Sequence, residues 1–206
     1  MHLIFDFDGV LADSGAFVFE RLKRVSANQD ISSDELRELS SDKVLKSLKI
    51  SIFKLPFLIY DIRSEFSKNI PLLKLVEGLK ETLEILTASG YQLHILSSNS
   101  SENINGFLQF HKIHTYFLSI TSLFTIFGKA RGLRTFLSDN NIPTDEAMYI
   151  GDETRDIEAA RDVKIKSCAV CWGYNSESVL KAFNPDLIAR TPQDLISIVE
   201  SIKTSV

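Results

Sequence analysis

Short apolar runs that end abruptly in acidic, hydroxyl or glycine residues recur along the chain. Leu3 to Phe7 is the first; Gly90 to Leu96 ends at Ser97; Ala147 to Ile150 ends at Gly151-Asp152; Ser167 to Val170 is the fourth. Short runs of this kind, separated by amphipathic helical stretches, suit parallel strands joined by helices. Between them, Leu75, Val76, Leu79, Leu83 and Leu86 make a helical stripe over Leu75 to Ala88, and Gly90 stops it. The order predicts an α/β protein with a doubly wound parallel sheet. From about Ser14 to about Pro71 the alternation breaks, and this segment reads as helical throughout. Phe17, Val18, Leu22 and Val25 form one stripe, and Leu36, Leu39, Val44, Leu45 and Leu48 suggest another. A helical lid over the strand ends is expected, with the apolar piece from Ile52 to Tyr60 as lid core, substrate wall or dimer face, core being favoured.

Composition narrows the function. At 206 residues and 44% hydrophobic content, the chain can bury one full core and carry a small accessory module. A formal net charge of -4 with scattered Lys and Arg leaves no footprint for nucleic acid. No export signal is visible at the N-terminus, and the apolar stretch Ser51 to Ile62 is too short to span a bilayer, so a soluble, cytoplasmic protein is expected. Cys168 and Cys171 have CxxC spacing but no second pair, and read as core thiols. His111 and His114 lack a third ligand at useful spacing, and His94 alternates within a strand as a core residue would.

The chemistry concentrates at run ends. In Asp6-Phe7-Asp8-Gly9-Val10, strand alternation would point both carboxylates the same way, at the end where open α/β sheets bind ligands. Such a pair repels itself unless a cation intervenes, and Mg²⁺ does so in phosphate chemistry; an Asx turn is the plainer alternative. A calcium loop is disfavoured because Leu11 stands where its glycine belongs. A second cluster, Gly151-Asp152-Glu153-Thr154-Arg155-Asp156, places Asp152 and Asp156 beside the same crevice. Helix capping explains one such acid comfortably, but not three. Acids so dense need donors and a cation to admit phosphate. Ser97 and Ser98, with Asn99 and Ser100, offer them or else cap the next helix, and Lys129 follows Gly128 at a predicted helix start. Ala130 excludes a phosphate-binding P-loop there.

Taken in this order, DxDGV, a serine after a second strand, an isolated lysine and GDxxxD, the chain resembles the haloacid dehalogenase-like (HAD) hydrolase superfamily. Leu11-Ala12-Asp13-Ser14, Trp172-Gly173-Tyr174-Asn175 and Asn184-Pro185-Asp186 resemble its phosphoglycolate phosphatase-like branch. The resemblance implies a Rossmann-like core over residues 1–13 and 76–206, with a small helical cap over 14–75 inserted after the first strand. It makes Asp6 the nucleophile and Asp8 the acid, then the base. Mg²⁺ would be held by Asp6, the Asp8 backbone carbonyl and Asp152, with Asp156 supporting its waters or orienting Lys129. Ser97, Ser98 and Lys129 would bind the substrate phosphate. Asp8 favours phosphoryl transfer over dehalogenation, because dehalogenases of the superfamily lack a carboxylate there. Glu153 departs from many relatives by adding charge.

The expected activity is hydrolysis of a small phosphate monoester, phosphoglycolate-like, through an aspartyl-phosphate. A phosphomutase or phosphotransferase would use the same residues. A receiver-like signalling domain is disfavoured because its acceptor aspartate would stand where Ser97 is. An inactive binding protein is disfavoured by the intact Asp6, Asp8, Lys129 and Asp152. The expected partner is a small phosphorylated metabolite, with no nucleic acid or membrane, for a monomer or homodimer.

Overall fold

Leu3, Ile4 and Phe5 have no exposed surface, because strand β1 (His2–Phe5) lies in the middle of a sheet and is covered on both faces. The computed structural model that shows this describes residues 1–28, 30–123 and 128–203. A two-residue strand β2 (Ala12–Asp13) follows, then helices α1 (Gly15–Val25), α2 (Ser33–Arg37), α3 (Ser41–Ser47) and α4 (Leu55–Asn69). After β3 (Lys74–Leu75) the chain alternates: α5 (Leu79–Ala88), β4 (Gln92–Ser97), α6 (Ser101–Phe110), β5 (Phe117–Ser122), α7 (Lys129–Asp139), β6 (Ala147–Gly151), α8 (Thr154–Val163), β7 (Lys166–Val170), α9 (Glu177–Ala182), β8 (Leu187–Ala189) and α10 (Asp194–Lys203).

The main sheet has six parallel strands in the order β5-β4-β1-β6-β7-β8. His2 pairs with Gln92 on one side and Ala147 on the other, so the chain leaves β1 in one direction and returns later on its opposite flank. That reversal puts a ligand-binding crevice at the C-terminal end of β1, as doubly wound sheets require. Separate apolar clusters cover the two faces, one around Phe5, Leu83 and Ile104, the other around Ile4, Leu133 and Tyr149.

The four predicted runs are strands, within a residue or two at their ends. The helical stripe is corrected at its start. Lys74 and Leu75 pair antiparallel with Asp13 and Ala12, and the helix begins only after Gly78, whose φ of 77° is unfavourable for other residues. Two further strands were not expected. β5 is an edge strand, mostly half-exposed, with Leu118 at 66% exposure; β8 has only three residues. The apolar run of β5 is broken by Ser119, and that of β8, Leu187 to Ala189, is too short to stand out.

The segment between β2 and β3 is not helical throughout: its four α-helices, of which α2 and α3 are short, are interrupted by loops and two 3-10 turns. Phe19, Leu36, Leu48, Ile50, Leu55 and Leu58 form their common core. The expected second stripe is therefore shared between α2 and α3. In the apolar piece Leu55 and Leu58 are buried, while Phe53, Phe57 and Tyr60 are exposed. Phe66 of α4 packs against Phe7 at a ring-centroid distance of 5.6 Å, tying this layer to the acid loop. No helix among the described residues is long and apolar enough to cross a membrane.

His94 is buried in β4 between His2 (3.0 Å) and the hydroxyl of Ser119 (2.8 Å), as a core residue. Burial first, and the His2 ring second, lower its pKa to about 4. The unfolded chain, with an imidazole near ~6.5, takes up a proton that the fold refuses. Stability is thus full above about 6.5 and falls as pH drops towards 4, by roughly 2 kcal/mol. His94→Gln keeps hydrogen-bonding groups without the titration. Its urea midpoint should fall less between pH 6.5 and 4 than that of the wild type; equal losses would remove His94 as the source.

Candidate active site

Asp6 continues β1 by one bond, its amide donating to Ile150 O at 2.9 Å. Beyond it the chain turns sharply: Leu11 and Ala12 amides donate to Phe7 O, and Gly9 N to Ala12 O. Phe7 is fully buried between Phe66 and Phe107 and anchors the two acids beside it. Gly9 has φ 77°, and a Cβ there would sit 2.1 Å from Asp152 Oδ2, so only glycine fits. The strand ladder ends at Phe5, so alternation is not what orients the acids, contrary to expectation. Asp6 accepts from Lys129 Nζ at 2.5 Å and from Phe7 N at 2.7 Å. Asp8 instead accepts from Ser14 Oγ and Asn99 Nδ2, both at 3.0 Å. Burial, and next the charge of Asp6, push its pKa up to about 6. A carboxyl in that range can both give and take a proton near neutral pH.

The second acidic cluster meets the first. Asp152, at the end of β6, is completely buried; its Oδ2 accepts from Tyr174 N at 2.6 Å, and its Oδ1 has no partner. Burial, followed by the charges of Glu153, Asp156 and Asp6, holds its pKa well above the usual carboxylate range. Asp156 caps α8, its Oδ2 accepting from the amides of Asp152 (3.1 Å) and Glu153 (3.0 Å), while Oδ1 accepts from Lys129. Lys129 enters from the first turn of α7 behind Gly128 and is 5% exposed. Burial alone would lower its pKa, but Asp156 and Asp6 outweigh that and hold it well above normal.

Asp6, Asp152 and Asp156 each present a carboxylate oxygen, and these lie within 4.8 Å of one another. One ammonium does not balance three buried carboxylates, and the partnerless Asp152 Oδ1 is an acceptor awaiting a cation. The donor set is all hard oxygen, which suits Mg²⁺. These residues therefore fit such an ion.

Ser97 is buried at the end of β4, its hydroxyl accepting from Asn99 N at 3.1 Å. Ser100, not Ser97 or Ser98, caps α6, by accepting from Asn103 N. A cavity of about 860 Å³ separates this loop from helices α1 to α4. Asp8, Ser98, Asn99, Lys129 and Arg155 line it on the sheet side; Val18, Leu22, Leu45 and Ile59 line the other.

Several residues named in the sequence only as motif, turn or capping residues have specific tasks here. Ser14 and Asn99 hold Asp8, and the Tyr174 amide holds Asp152. The signal available for Tyr174 was Gly173, where a Cβ would lie 2.2 Å from that of Asp152. Glu153 pairs with Arg155 and accepts from Ser41 Oγ at 2.9 Å, joining α8 to α3. Cys168 and Cys171 are unbonded, with the buried Cys168 thiol pushed up to about 12 by burial. Such a thiol is inert. His111 and His114 sit at and beyond the end of α6, away from the acids.

Comparisons with known proteins agree with this geometry. Residues 3–170 match the model of the family described as haloacid dehalogenase-like hydrolase. A phosphoglycolate phosphatase of Synechococcus elongatus is 32% identical over 206 residues, covering 97% of each chain. A pyrophosphatase PpaX of Bacillus cereus is 23% identical over 98% of each. Among solved structures, a haloacid dehalogenase-like family hydrolase from Streptococcus pneumoniae superposes with a TM-score of 0.78 at 23% identity, covering 96% of this chain and 97% of that one. With its parallel sheet, its acids gathered at the end of β1 and a family match over most of its length, this chain belongs to the haloacid dehalogenase-like hydrolases.

Proposed function

We propose that the protein is a magnesium-dependent phosphatase that hydrolyses a small phosphate monoester, phosphoglycolate-like, through a phosphoaspartate on Asp6. The observation carrying this reading is the buried cluster of Asp6, Asp152 and Asp156, with Lys129 bonded between two of them. Of the relatives' names, phosphoglycolate phosphatase points to a small phosphate monoester and pyrophosphatase to a small phosphate anhydride, both with an anionic leaving group.

Asp6 attacks phosphorus while the bond to the leaving oxygen breaks, and Asp8 gives that oxygen its proton. The Asp8 carboxylate then takes a proton from water, which attacks the phosphoaspartate, releases inorganic phosphate and regenerates Asp6. Splitting one displacement into two lowers each barrier. Ser97, Ser98 and Lys129 hold the phosphoryl oxygens, where charge stabilisation does most of the work. Asp156 keeps Lys129 aimed at Asp6. Asp6, the Asp8 carbonyl and Asp152 would hold Mg²⁺, which would supply the positive charge that lets a phosphate approach these acids. Helices α1 to α4, within residues 14–75, act as a cap that keeps bulk water from Asp8.

Phosphate release from a panel of small monoesters tests this, run with Mg²⁺ and with EDTA. Release should depend on Mg²⁺ and fall to the uncatalysed rate when the ion is chelated. Undiminished release in EDTA would discard the metal and the role of Asp152 together.

A further inference from the structure

Among the described residues, the cations lining the cavity are Lys46, Arg63, Lys129 and Arg155. Lys46 pairs with Asp42 at 3.7 Å, Lys129 with Asp6 and Asp156, and Arg155 with Glu153. Arg63 has no carboxylate partner among the described residues. Its guanidinium is held by neutral acceptors, donating to the carbonyls of Ser98 and Leu123, and its Nε is buried with no partner. Ser98 belongs to the loop that closes the phosphate end of the cavity.

The main chain of Arg63 is fixed as well. Its carbonyl accepts from Asn103 Nδ2 at 2.8 Å, Asn103 also donates to Asn99 Oδ1 at 3.0 Å, and Asn99 donates to Asp8. Arg63 thus stands on α4, beside the Ser98 loop and connected to Asp8 through Asn103 and Asn99. Two neutral carbonyls repay only part of the solvation that a guanidinium forfeits in a partly enclosed cavity without a counter-ion. With Nη2 given to the two carbonyls and Nε buried, what it has left for a carboxylate or phosphoryl group is its charge and the donors of Nη1.

We propose that Arg63 selects substrates whose leaving group carries its own anion, a carboxylate or a phosphoryl group, and binds that anion directly. This rests on the phosphatase function proposed above and deepens it: Lys129 and the metal site meet the transferred phosphate, while Arg63 meets the group left behind.

The test compares kcat/KM for phosphoglycolate, pyrophosphate, ethyl phosphate and hexyl phosphate in wild type, Arg63→Met and Arg63→Lys, with 4-nitrophenyl phosphate as a general phosphatase substrate. Ethyl phosphate replaces the carboxylate of phosphoglycolate by a methyl group. The wild type should prefer phosphoglycolate or pyrophosphate to ethyl phosphate, and whichever carries the preference identifies the second anion. Arg63→Met should shrink that ratio about 10- to 100-fold, through KM, the worth of a lost charge-assisted pair. Arg63→Lys, which keeps the charge, should shrink it less, and it serves alone if the Met variant does not fold. An unchanged ratio, including a loss shared equally by all esters, would overturn the proposal and leave Arg63 as a cap contact. A wild-type preference for hexyl phosphate would also overturn it, giving the leaving group to the apolar wall. Hydrolysis of 4-nitrophenyl phosphate without any preference among the other esters would sink this inference alone. No hydrolysis of any ester would sink the phosphatase function with it.

Discussion

Asp6→Asn is expected to lower phosphate release at least about 10,000-fold while the protein stays folded. An amide matches the carboxylate in shape but is a poor nucleophile, and no neighbouring group can replace it: Asp152 and Asp156 are held away by hydrogen bonds of their own, to the Tyr174 amide and to Lys129. The fold should tolerate the change because Asp6 sits among like charges. Removing one of the three clustered carboxylates relieves repulsion, while Lys129 keeps Asp156. Phe7, buried between Phe66 and Phe107, continues to anchor the loop. Single-turnover phosphate release and a urea titration on the same preparation separate the two effects. Turnover at the wild-type rate in a folded variant would take Asp6 out of the chemistry.

The acids, the serine and the lysine were legible in the sequence for one physical reason. Asp6, Ser97 and Asp152 each stand at the end of a largely buried strand, and such strands read as mainly apolar runs whose ends are sharp. Lys129 was found from Gly128, whose φ of 97° starts α7. Where burial is partial the signal fades: β5 has half-exposed positions along most of its length, and its sequence does not alternate clearly. The partners of Asp8 were harder still. Asn99 and Ser14 are ordinary polar residues of turns, and only the approach of the β4 loop to the β1 loop gives them a common target. Arg63 lies on an amphipathic helix that also carries Lys68, an exposed cation paired with Glu65. Nothing local distinguishes the two; what does is that Arg63 faces the cavity and bonds to Ser98 across it.

Lys129→Met should damage stability and turnover together. The side chain is only one atom shorter and equally unbranched, so the loss is of the ammonium charge and its two hydrogen bonds. Asp6 and Asp156 would then face each other, buried, with no ammonium between them. Removing one partner of a buried ionic network costs ~3–5 kcal/mol, because the remaining charges stay desolvated. Turnover should fall at least ~1,000-fold, since the transferred phosphoryl group loses a preorganised cation. Urea denaturation in EDTA measures the first effect and phosphate release with Mg²⁺ the second. The double variant with Asp6→Asn gives the sharper test: with one carboxylate already neutral, Lys129→Met should cost clearly less stability than in the wild type. Equal costs in the two backgrounds would mean that the Lys129–Asp6 contact carries no energy. Mg²⁺ should restore part of the stability of Lys129→Met, since an ion held by Asp6 and Asp152 offsets the same excess charge. It should restore little turnover, because it cannot stand where the Lys129 ammonium stood, between Asp6 and Asp156.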